Sequence, residues 1–308
     1  MALGQIHTSF SGNPLDRADH LRTDSEILGG WMKRGDARVA LLAGEKILTD
    51  TTGDIAWQGF GKCRFLPLGT TIFLGLDGEA PRYAAMLTGN ADDFAAMFEP
   101  EGAKFRDGRG IAFKLEGAHP SLGIIAQAKS MLLWHQSHRF CAKCGAQSEL
   151  AKAGYERVCP ACEARHFPRT DPVVIMLVLD KASGGEKALV GRGKGWPEGH
   201  YSALAGFMEP GESMEEAVAR EIFEEVGLKT TKVAYKASQP WPWPSTLMIG
   251  AVAWVEEGEL NIDSVELEDA IWITKDDVRA SIDGEHEYRL LPPPFAIAHD
   301  LIQAWLAE

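Results

Sequence analysis

The sequence predicts an α+β fold in three parts. Short strand-like runs and helical patterns occupy residues 1–135, which predicts an N-terminal α+β domain. Four of the five cysteines fall in two close pairs within residues 136–168. Residues 169–308 alternate strand-like runs with one long helical pattern and a second helix near the C-terminus. A chain of 308 residues is long enough for more than one hydrophobic core.

Composition and charge narrow the class of protein. The chain is 45% hydrophobic and 24% charged, as in ordinary globular proteins. The net charge of -13 argues against a general affinity for nucleic acid, because such binding needs many Lys and Arg contacts. The first ten residues lack an export-signal pattern, and the longest apolar run, Pro172–Leu179, is too short to span a bilayer. We therefore expect a cytoplasmic protein without membrane contact.

The first domain is predicted to contain four strands and two helices. Its lone cysteine, Cys63, is expected to be a small buried apolar residue. No catalytic constellation is apparent in this region. Strands are expected at 38–44, 46–49, 71–76 and near Arg82, and helices at 91–98 and 123–136.

Two cysteine pairs follow, with fourteen residues between them. Two C-x2-C turns can converge on one tetrahedral zinc ion, and four thiolates leave no open position for a water nucleophile. A structural zinc is therefore predicted, and a redox role for either pair is the less favoured interpretation. His135 and His138 lie nearby, but four cysteines already complete a zinc site. The predicted ligands are Cys141, Cys144, Cys159 and Cys162.

A helix of about fourteen residues is predicted after residue 213. Ser213 and Glu216 have the spacing of a capping box, and Gly227 stands where a helix commonly ends. Apolar residues recur every four positions and predict the buried face of this helix. They are Val218, Ile222 and Val226.

Glu221, Glu224 and Glu225 lie within one arc of another face of the same helix. Such carboxylates repel one another by several tenths of a kcal/mol per pair, so positive charge is expected among them. Arg220 could satisfy one carboxylate, and Mg²⁺ or Mn²⁺ could be held by the others. A solvated acidic helix face is the alternative interpretation.

Residues Gly206–Leu228 carry the whole pattern G-x5-E-x7-R-E-U-x-E-E-x-G-U, where U is aliphatic. Residues 169–308 therefore resemble a Nudix hydrolase domain. The resemblance implies a mixed sheet sandwiched by helices, a loop-helix-loop that holds divalent cations, and hydrolysis of a nucleoside diphosphate linked to another group. It also implies that Glu221 and Glu225 bind metal and that Arg220 braces the carboxylates. Any of Glu221, Glu224 and Glu225 could share in orienting or deprotonating water.

The segment "SQPWPWPSTLM" resembles the SQPWPFPxS signature of the NADH pyrophosphatase group, also called the NudC group. Trp243 stands where that signature has Phe. The group also has the same order of N-terminal domain, four-cysteine zinc ribbon and Nudix domain. The resemblance implies that this segment binds substrate through Gln239, Pro240, Trp241, Pro242, Trp243, Pro244, Ser245 and Thr246.

Further positions follow from the same resemblance. The backbone carbonyl of Ala205 and the carboxylate of Glu266 are implied metal ligands, although Glu268 and Asp269 lie close to the latter in sequence. Three further residues are implied substrate contacts. Phe167 stands where the family often has Tyr, and Ala298 matches a backbone contact to the base. Phe207, the second residue of the box, could equally be a core residue.

The resemblance implies divalent-metal-dependent hydrolysis of the pyrophosphate of NADH or NAD to nicotinamide mononucleotide and AMP, by a homodimer. Removal of NAD caps from RNA 5′ ends is implied as a further activity. Flat rings stack on aromatic side chains with about 1–3 kcal/mol per base, which suits the tryptophan segment. For each tryptophan taken alone, packing in a core is the favoured interpretation. The alternatives are a Nudix hydrolase for another nucleoside diphosphate such as ADP-ribose, and a non-catalytic nucleotide or RNA sensor.

Overall fold

The computed structural model describes residues 8–115, 119–256 and 258–308. The described residues divide into two compact units. The N-terminal unit comprises Phe10–Thr170 and Pro240–Ser245, and the C-terminal unit comprises Thr8, Ser9, Asp171–Gln239 and Thr246–Glu308. Residues 1–7, on which most of the export-signal expectation depends, lie outside the described residues.

The N-terminal unit contains a five-stranded sheet in the order β3-β4-β1-β2-β5. Strands β1 and β4 are parallel, and the other neighbouring strands are antiparallel. The strands are β1 (Arg38–Ala43), β2 (Lys46–Thr49), β3 (Leu68–Asp77), β4 (Ala80–Leu87) and β5 (Lys104–Arg106). The helices are α1 (Ser25–Trp31), α2 (Phe60–Cys63), α3 (Ala91–Phe98), α4 (Gly108–Leu115) and α5 (Pro120–Ser137).

The expected strands and the two expected helices of this unit are all present. Helix α5 packs on β3 and β4 and is buried on nearly all sides, which explains its lack of a polar face. Cys63 is buried, as expected, and burial raises the pKa of its thiol to about 11. The short helices α1, α2 and α4 were not predicted, because each contains glycine, which has a low helix propensity.

The cysteine segment lies in the same unit and forms a small antiparallel sheet. Its strands are β6 (Glu149–Ala151), β7 (Glu156–Val158) and β8 (Arg165–His166). The buried carboxylate of Glu156 on β7 accepts two hydrogen bonds from Arg165 on β8. This ion pair stabilises the pairing of the two strands.

The C-terminal unit is built on a mixed six-stranded sheet. The strand order is β12-β13-β9-β10-β14, and β11 pairs with β9 outside this order. Strand β13 runs parallel to β9, whereas β10 and β11 run antiparallel to it. The strands are β9 (Asp171–Asp180), β10 (Lys187–Gly193), β11 (Leu204–Phe207), β12 (Thr230–Trp241), β13 (Thr246–Val255) and β14 (Leu267–Thr274). The helices are α6 (Met214–Val226), α7 (Lys275–Asp283) and α8 (Ile297–Ala307).

Strand β9 separates two hydrophobic cores. Val174, Met176 and Val178 face the core that contains α6. The alternate residues of the strand face the core that contains α8. Since each fully buried Val or Leu contributes about 1.5–3 kcal/mol, both faces of this strand stabilise the unit. The predicted mixed sheet between helices is confirmed.

Among the described residues, no helix has both the length and the apolar character needed to cross a bilayer.

His135 of α5 gives the stability of the N-terminal unit a specific pH dependence. Its Nε2 donates to the carbonyl oxygen of Gly154 (2.8 Å), and its Nδ1 accepts from Arg157 (3.1 Å), a pattern that requires neutral imidazole. Burial lowers the pKa of His135 from 6.5 to about 4. The unfolded chain therefore binds a proton between pH 6.5 and 4 that the folded chain does not, and stability falls as pH falls through this window.

We expect about 2 kcal/mol of unfolding free energy to be lost between pH 7 and pH 5 through this residue. Equilibrium urea unfolding of the wild type and of His135→Gln at the two pH values measures it. The difference between the two proteins isolates the histidine, because acid release of zinc affects both. An equal pH dependence in the two proteins would refute this assignment.

Candidate active site

Helix α6 carries the candidate site and is fixed at both ends. Ser213 accepts a hydrogen bond from the Glu216 backbone, and the Glu216 side chain accepts from the Ser213 backbone. Gly227 ends the helix in the left-handed conformation, with φ of 74°. The predicted apolar face is confirmed, since Val218, Ile222 and Val226 are fully buried. The glutamates are therefore held at a defined position beside the sheet.

Three carboxylates converge beside this helix. Oxygen atoms of Glu221, Glu225 and Glu266 all lie within 4.8 Å of one another. Glu221 and Glu225 are buried, and Glu225 Oε2 has no hydrogen-bond partner among the described residues. Burial and then the neighbouring carboxylates raise the pKa of Glu225 to about 8. An unpartnered buried oxygen among hard ligands fits a divalent cation, which would offset this repulsion.

Arg220 holds one carboxylate of the cluster and two carboxylates outside it in place. Its guanidinium donates to Glu212 (2.6 Å from Nε), Glu221 (2.8 Å) and Glu224 (2.8 Å). It also donates to the carbonyl oxygen of Phe207. The Arg220 hydrogen bonds hold the pKa of Glu212 at about 2, and Glu212 also accepts from the backbone of the loop before the helix. Arg220 thus links this loop, the carboxylates and β11.

Gly206 lies where a side chain would displace the metal-site carboxylate. A Cβ atom built at Gly206 would be 1.9 Å from Glu221 Cδ. We therefore expect Gly206→Ala to retain the fold and to lower the activity of this site at least about 10²-fold, roughly 3 kcal/mol, because Glu221 is forced out of position. Turnover and cation binding measure this effect. Gly193→Ala is the matched control, since its Cβ would meet only Trp196, at 3.4 Å. Unchanged turnover in Gly206→Ala would refute the role of Glu221.

The structure distinguishes the three acidic residues considered for the outer ligand. Glu266 joins the cluster. Glu268 instead pairs with Arg192 at 2.6 Å, and Asp269 accepts from the Tyr201 hydroxyl at 2.5 Å. The geometry therefore favours Glu266 among them.

The other residues named from the resemblance fall in different environments. Ala205 is exposed on β11, directly before Gly206. Phe207 is 62% exposed, so it is not a core residue, and Phe167 of the N-terminal unit is 63% exposed. Ala298 is buried in the first turn of α8, where backbone N–H groups lack helical partners. Both phenylalanine rings are thus free of the hydrophobic cores.

Gln239 uses its whole side-chain amide within the C-terminal unit. It is fully buried, donates to the carbonyl oxygens of Ser9 (3.1 Å) and Phe295 (2.9 Å), and accepts from the Ile297 backbone (2.9 Å). In this structure its side chain holds the start of α8 against β12.

The two tryptophans of the segment pack within the N-terminal unit. Phe10 meets both indole rings edge-on, at 6.2 Å from Trp241 and 5.3 Å from Trp243. Buried Lys129 donates to the carbonyl oxygen of Pro242 (2.9 Å), and its Nζ lies 4.7 Å from the centre of the Trp243 ring. Sequence reasoning missed Lys129, because nothing local in α5 indicates a partner 113 residues away.

The remaining residues of the segment differ in exposure. Pro242 and Ser245 are buried, Pro240 and Thr246 are half-buried, and Pro244 is exposed. The structure therefore orders this segment as a packed connection between β12 and β13, and a flat-ring site on it stays a prediction.

The four paired cysteines form the second cluster of metal-binding groups. Their sulfur atoms lie within 4.8 Å of one another, with Cys141 3.6 Å from Cys162 and Cys144 3.5 Å from Cys159. Four sulfurs around zinc at about 2.3 Å lie about 3.8 Å apart, so the cluster fits the ion. His166 Nε2 lies 3.3 Å from the Cys141 sulfur, a contact that the sequence analysis missed. His135 and His138 are not part of the cluster.

The fold is a mixed sheet between helices, and the glutamate cluster lies beside the helix that follows the G-x5-E loop. These two features define a Nudix hydrolase. Matches to known families agree with this class. They are the NUDIX domain at residues 169–292, the NADH pyrophosphatase zinc ribbon domain at 136–167, and the NADH pyrophosphatase-like rudimentary NUDIX domain at 35–134.

Curated relatives are similar over most of the chain. The NAD-capped RNA hydrolase NudC of Mycobacterium bovis is 36% identical over 305 residues, which cover 95% of this chain and 92% of the relative. The human NAD-capped RNA hydrolase NUDT12 is 39% identical and covers 77% of this chain. The mouse mitochondrial NAD(P)H pyrophosphatase NUDT13 is 42% identical and covers 67%. This chain spans 57% of the human relative and 60% of the mouse relative.

The chain belongs to the NADH pyrophosphatase family of Nudix hydrolases. The predicted zinc ribbon and the predicted family are both confirmed.

Proposed function

We propose that this protein hydrolyses the pyrophosphate bond of NADH and NAD in a reaction that depends on a divalent cation. Water is added across the P–O–P anhydride, and the products are nicotinamide mononucleotide and AMP. The observation that carries the proposal is the convergence of Glu221, Glu225 and Glu266, with one buried oxygen left unpartnered. An acidic pocket without a cation would repel a pyrophosphate, so the site is suited to the substrate only when a cation is bound.

The cation would be Mg²⁺ or Mn²⁺, held by Glu221, Glu225, Glu266 and the backbone carbonyl of Ala205. It would supply positive charge against the pyrophosphate and lower the pKa of a bound water. Arg220 positions Glu221 and Glu224 through hydrogen bonds of 2.8 Å each. The carboxylate of Glu224 is about half exposed, which leaves it free to orient a water molecule.

The nicotinamide dinucleotide is proposed on two grounds. Relatives that match most of this chain are named as NAD-capped RNA hydrolases and an NAD(P)H pyrophosphatase. In addition, the exposed rings of Phe167 and Phe207 can stack on a flat ring. We extend the proposal to the NAD cap of RNA, whose removal breaks the same anhydride and leaves a 5′ monophosphate.

A parallel assay tests the substrate. Purified protein is incubated with Mg²⁺ or Mn²⁺ and with NADH, NAD, ADP-ribose or NAD-capped RNA, and the products are separated by chromatography. We expect AMP from NADH and NAD, and a 5′-monophosphate RNA from the capped RNA. Cleavage of ADP-ribose alone would contradict the proposal, as would binding of every substrate without turnover.

Three further properties belong to the same proposal. The functional domains are residues 1–135, 136–168 and 169–308, and the three family matches fall within these ranges. We propose that the protein acts in the cytoplasm and, as the family resemblance implies, that it is a homodimer. Light scattering after size-exclusion chromatography tests the dimer, and a mass of 33.6 kDa would contradict it.

A further inference from the structure

A cleft of about 670 Å³ opens in the N-terminal unit, and no part of the glutamate cluster lines it. The turn between β1 and β2, the start of β3 and the end of β4 line it. The C-terminal end of α5 and the cysteine segment also line it. Among the described residues that line the cleft, two are arginines and none is acidic.

Arg157 is a buried cation that no carboxylate of the described residues pairs with. It is 7% exposed and donates to Ser148 Oγ (2.8 Å), to the Ser148 carbonyl oxygen (2.5 Å) and to His135 Nδ1 (3.1 Å). These acceptors are all neutral, and no ion pair within the described part of the chain joins Arg157 to a carboxylate. A guanidinium keeps its proton and has five N–H donors, so two remain after these three bonds. An unpaired buried charge is costly, which makes an anionic partner favourable.

Arg139 adds a second positive charge to the same cleft. Its side chain is exposed, and the ion pairs found among the described residues do not include it. Burial lowers the pKa of Arg157, and the positive charge of Arg139 lowers it further. The two guanidinium groups therefore repel each other. Arg165 of the same segment is different, because it is paired with Glu156. Within residues 136–168, the two arginines that no described ion pair joins to a carboxylate are thus the two that line the cleft.

The rest of the cleft offers neutral hydrogen-bonding groups. The side chains of Thr70, Thr88, Gln136 and Gln147 line it, together with three glycines. Glycines allow a ligand to approach the backbone closely. Two cations among neutral donors are the groups that bind a phosphate diester or monoester.

We propose that this cleft binds a phosphate group of an RNA chain, with Arg139 and Arg157 as its cationic ligands. This inference rests on the proposed activity toward NAD-capped RNA, and it adds the site that holds the RNA body. A chain with a net charge of -13 needs such a local positive site to hold RNA. NADH has no RNA body, so its hydrolysis does not depend on the cleft.

The binding experiment uses the whole zinc-loaded protein and a fluorescent single-stranded RNA of about twelve nucleotides with a 5′ hydroxyl. Anisotropy is measured without divalent cations between about 50 and 200 mM KCl. We expect Arg139→Gln to weaken binding about fivefold and to reduce the salt slope by about 0.7, the value for one phosphate contact on a single strand. Arg139 is exposed, so this variant should fold normally.

Lys33→Gln is the matched control, because it removes one exposed positive charge of the same unit outside the cleft. Equal affinity and equal salt slope in the wild type and Arg139→Gln would overturn the inference. A second arm adds inorganic phosphate and follows thermal stability. If Arg139→Gln abolishes stabilisation by phosphate but leaves RNA binding unchanged, the cleft takes a small phosphate and not RNA, which also overturns the inference.

Turnover separates this inference from the proposed function. Arg139→Gln should lower kcat/KM for NAD-capped RNA about fivefold and leave kcat/KM for NADH within about twofold of the wild type. An equal loss on both substrates would contradict a site for the RNA body. If capped RNA is not cleaved at all while RNA binding still depends on Arg139, the proposed activity on RNA fails and the phosphate site stands.

Discussion

Glu225→Gln is expected to lower the kcat for NADH hydrolysis by about 10³-fold or more, roughly 4 kcal/mol of transition-state stabilisation. Glu225 is buried and belongs to the cluster with Glu221 and Glu266, and one of its oxygens has no hydrogen-bond partner among the described residues. Glutamine keeps the size of the side chain but removes the negative charge that holds a cation. Steady-state kinetics with Mg²⁺ or Mn²⁺ measures the loss, and calorimetric titration with Mn²⁺ measures weaker cation binding.

Glu215→Gln is the matched control for this change. Glu215 lies on the same helix but is exposed and outside the cluster, so activity should stay within about twofold of the wild type. Activity in Glu225→Gln close to that of the wild type would refute the metal site.

Cys159→Ser is expected to abolish zinc binding and to unfold the cysteine segment. Cys159 is fully buried, and its sulfur lies 3.5 Å from that of Cys144. Structural zinc sites contribute about 10–16 kcal/mol of apparent binding free energy at pH 7, and a hydroxyl is a poor substitute for a thiolate. Atomic absorption should therefore find one zinc per chain in the wild type and none in the variant, and urea unfolding should show a large loss of stability.

Cys63→Ala tests whether this effect is specific to the four paired cysteines. Cys63 is equally buried but lies outside the cluster, so its loss should cost about 1–2 kcal/mol and leave the zinc content unchanged. Full zinc occupancy in Cys159→Ser would show that the cysteine cluster does not hold the ion.

Features set by nearby residues could be predicted from the sequence. The ends of α6 follow from Ser213, Glu216 and Gly227, and its buried face follows from the spacing of three apolar residues. The strand β9 follows from an apolar run of the length expected for a strand buried on both faces. The spacing of the cysteines likewise indicated the metal cluster, because a C-x2-C turn brings its own two sulfurs together.

Features set by distant residues could not be predicted. Lys129 supports the tryptophan segment through a residue 113 positions away, and no local pattern indicates such a contact. Matching a signature also does not tell which way a side chain points. Gln239 is fully buried and fully hydrogen-bonded, whereas Phe207, which could equally have been a core residue, is 62% exposed. Helix α7 was missed because its nine residues contain few apolar positions.

The most direct test of the proposed active site is the dependence of NADH hydrolysis on the concentration of Mg²⁺ or Mn²⁺. Zinc-loaded wild-type protein and Glu225→Gln are freed of other divalent cations and titrated with each metal, and AMP is measured. We expect no AMP from the wild type without added cation, a saturable rise with cation, and no comparable rise in the variant. Cation-independent release of AMP, or the same titration curve in both proteins, would contradict hydrolysis at the glutamate cluster.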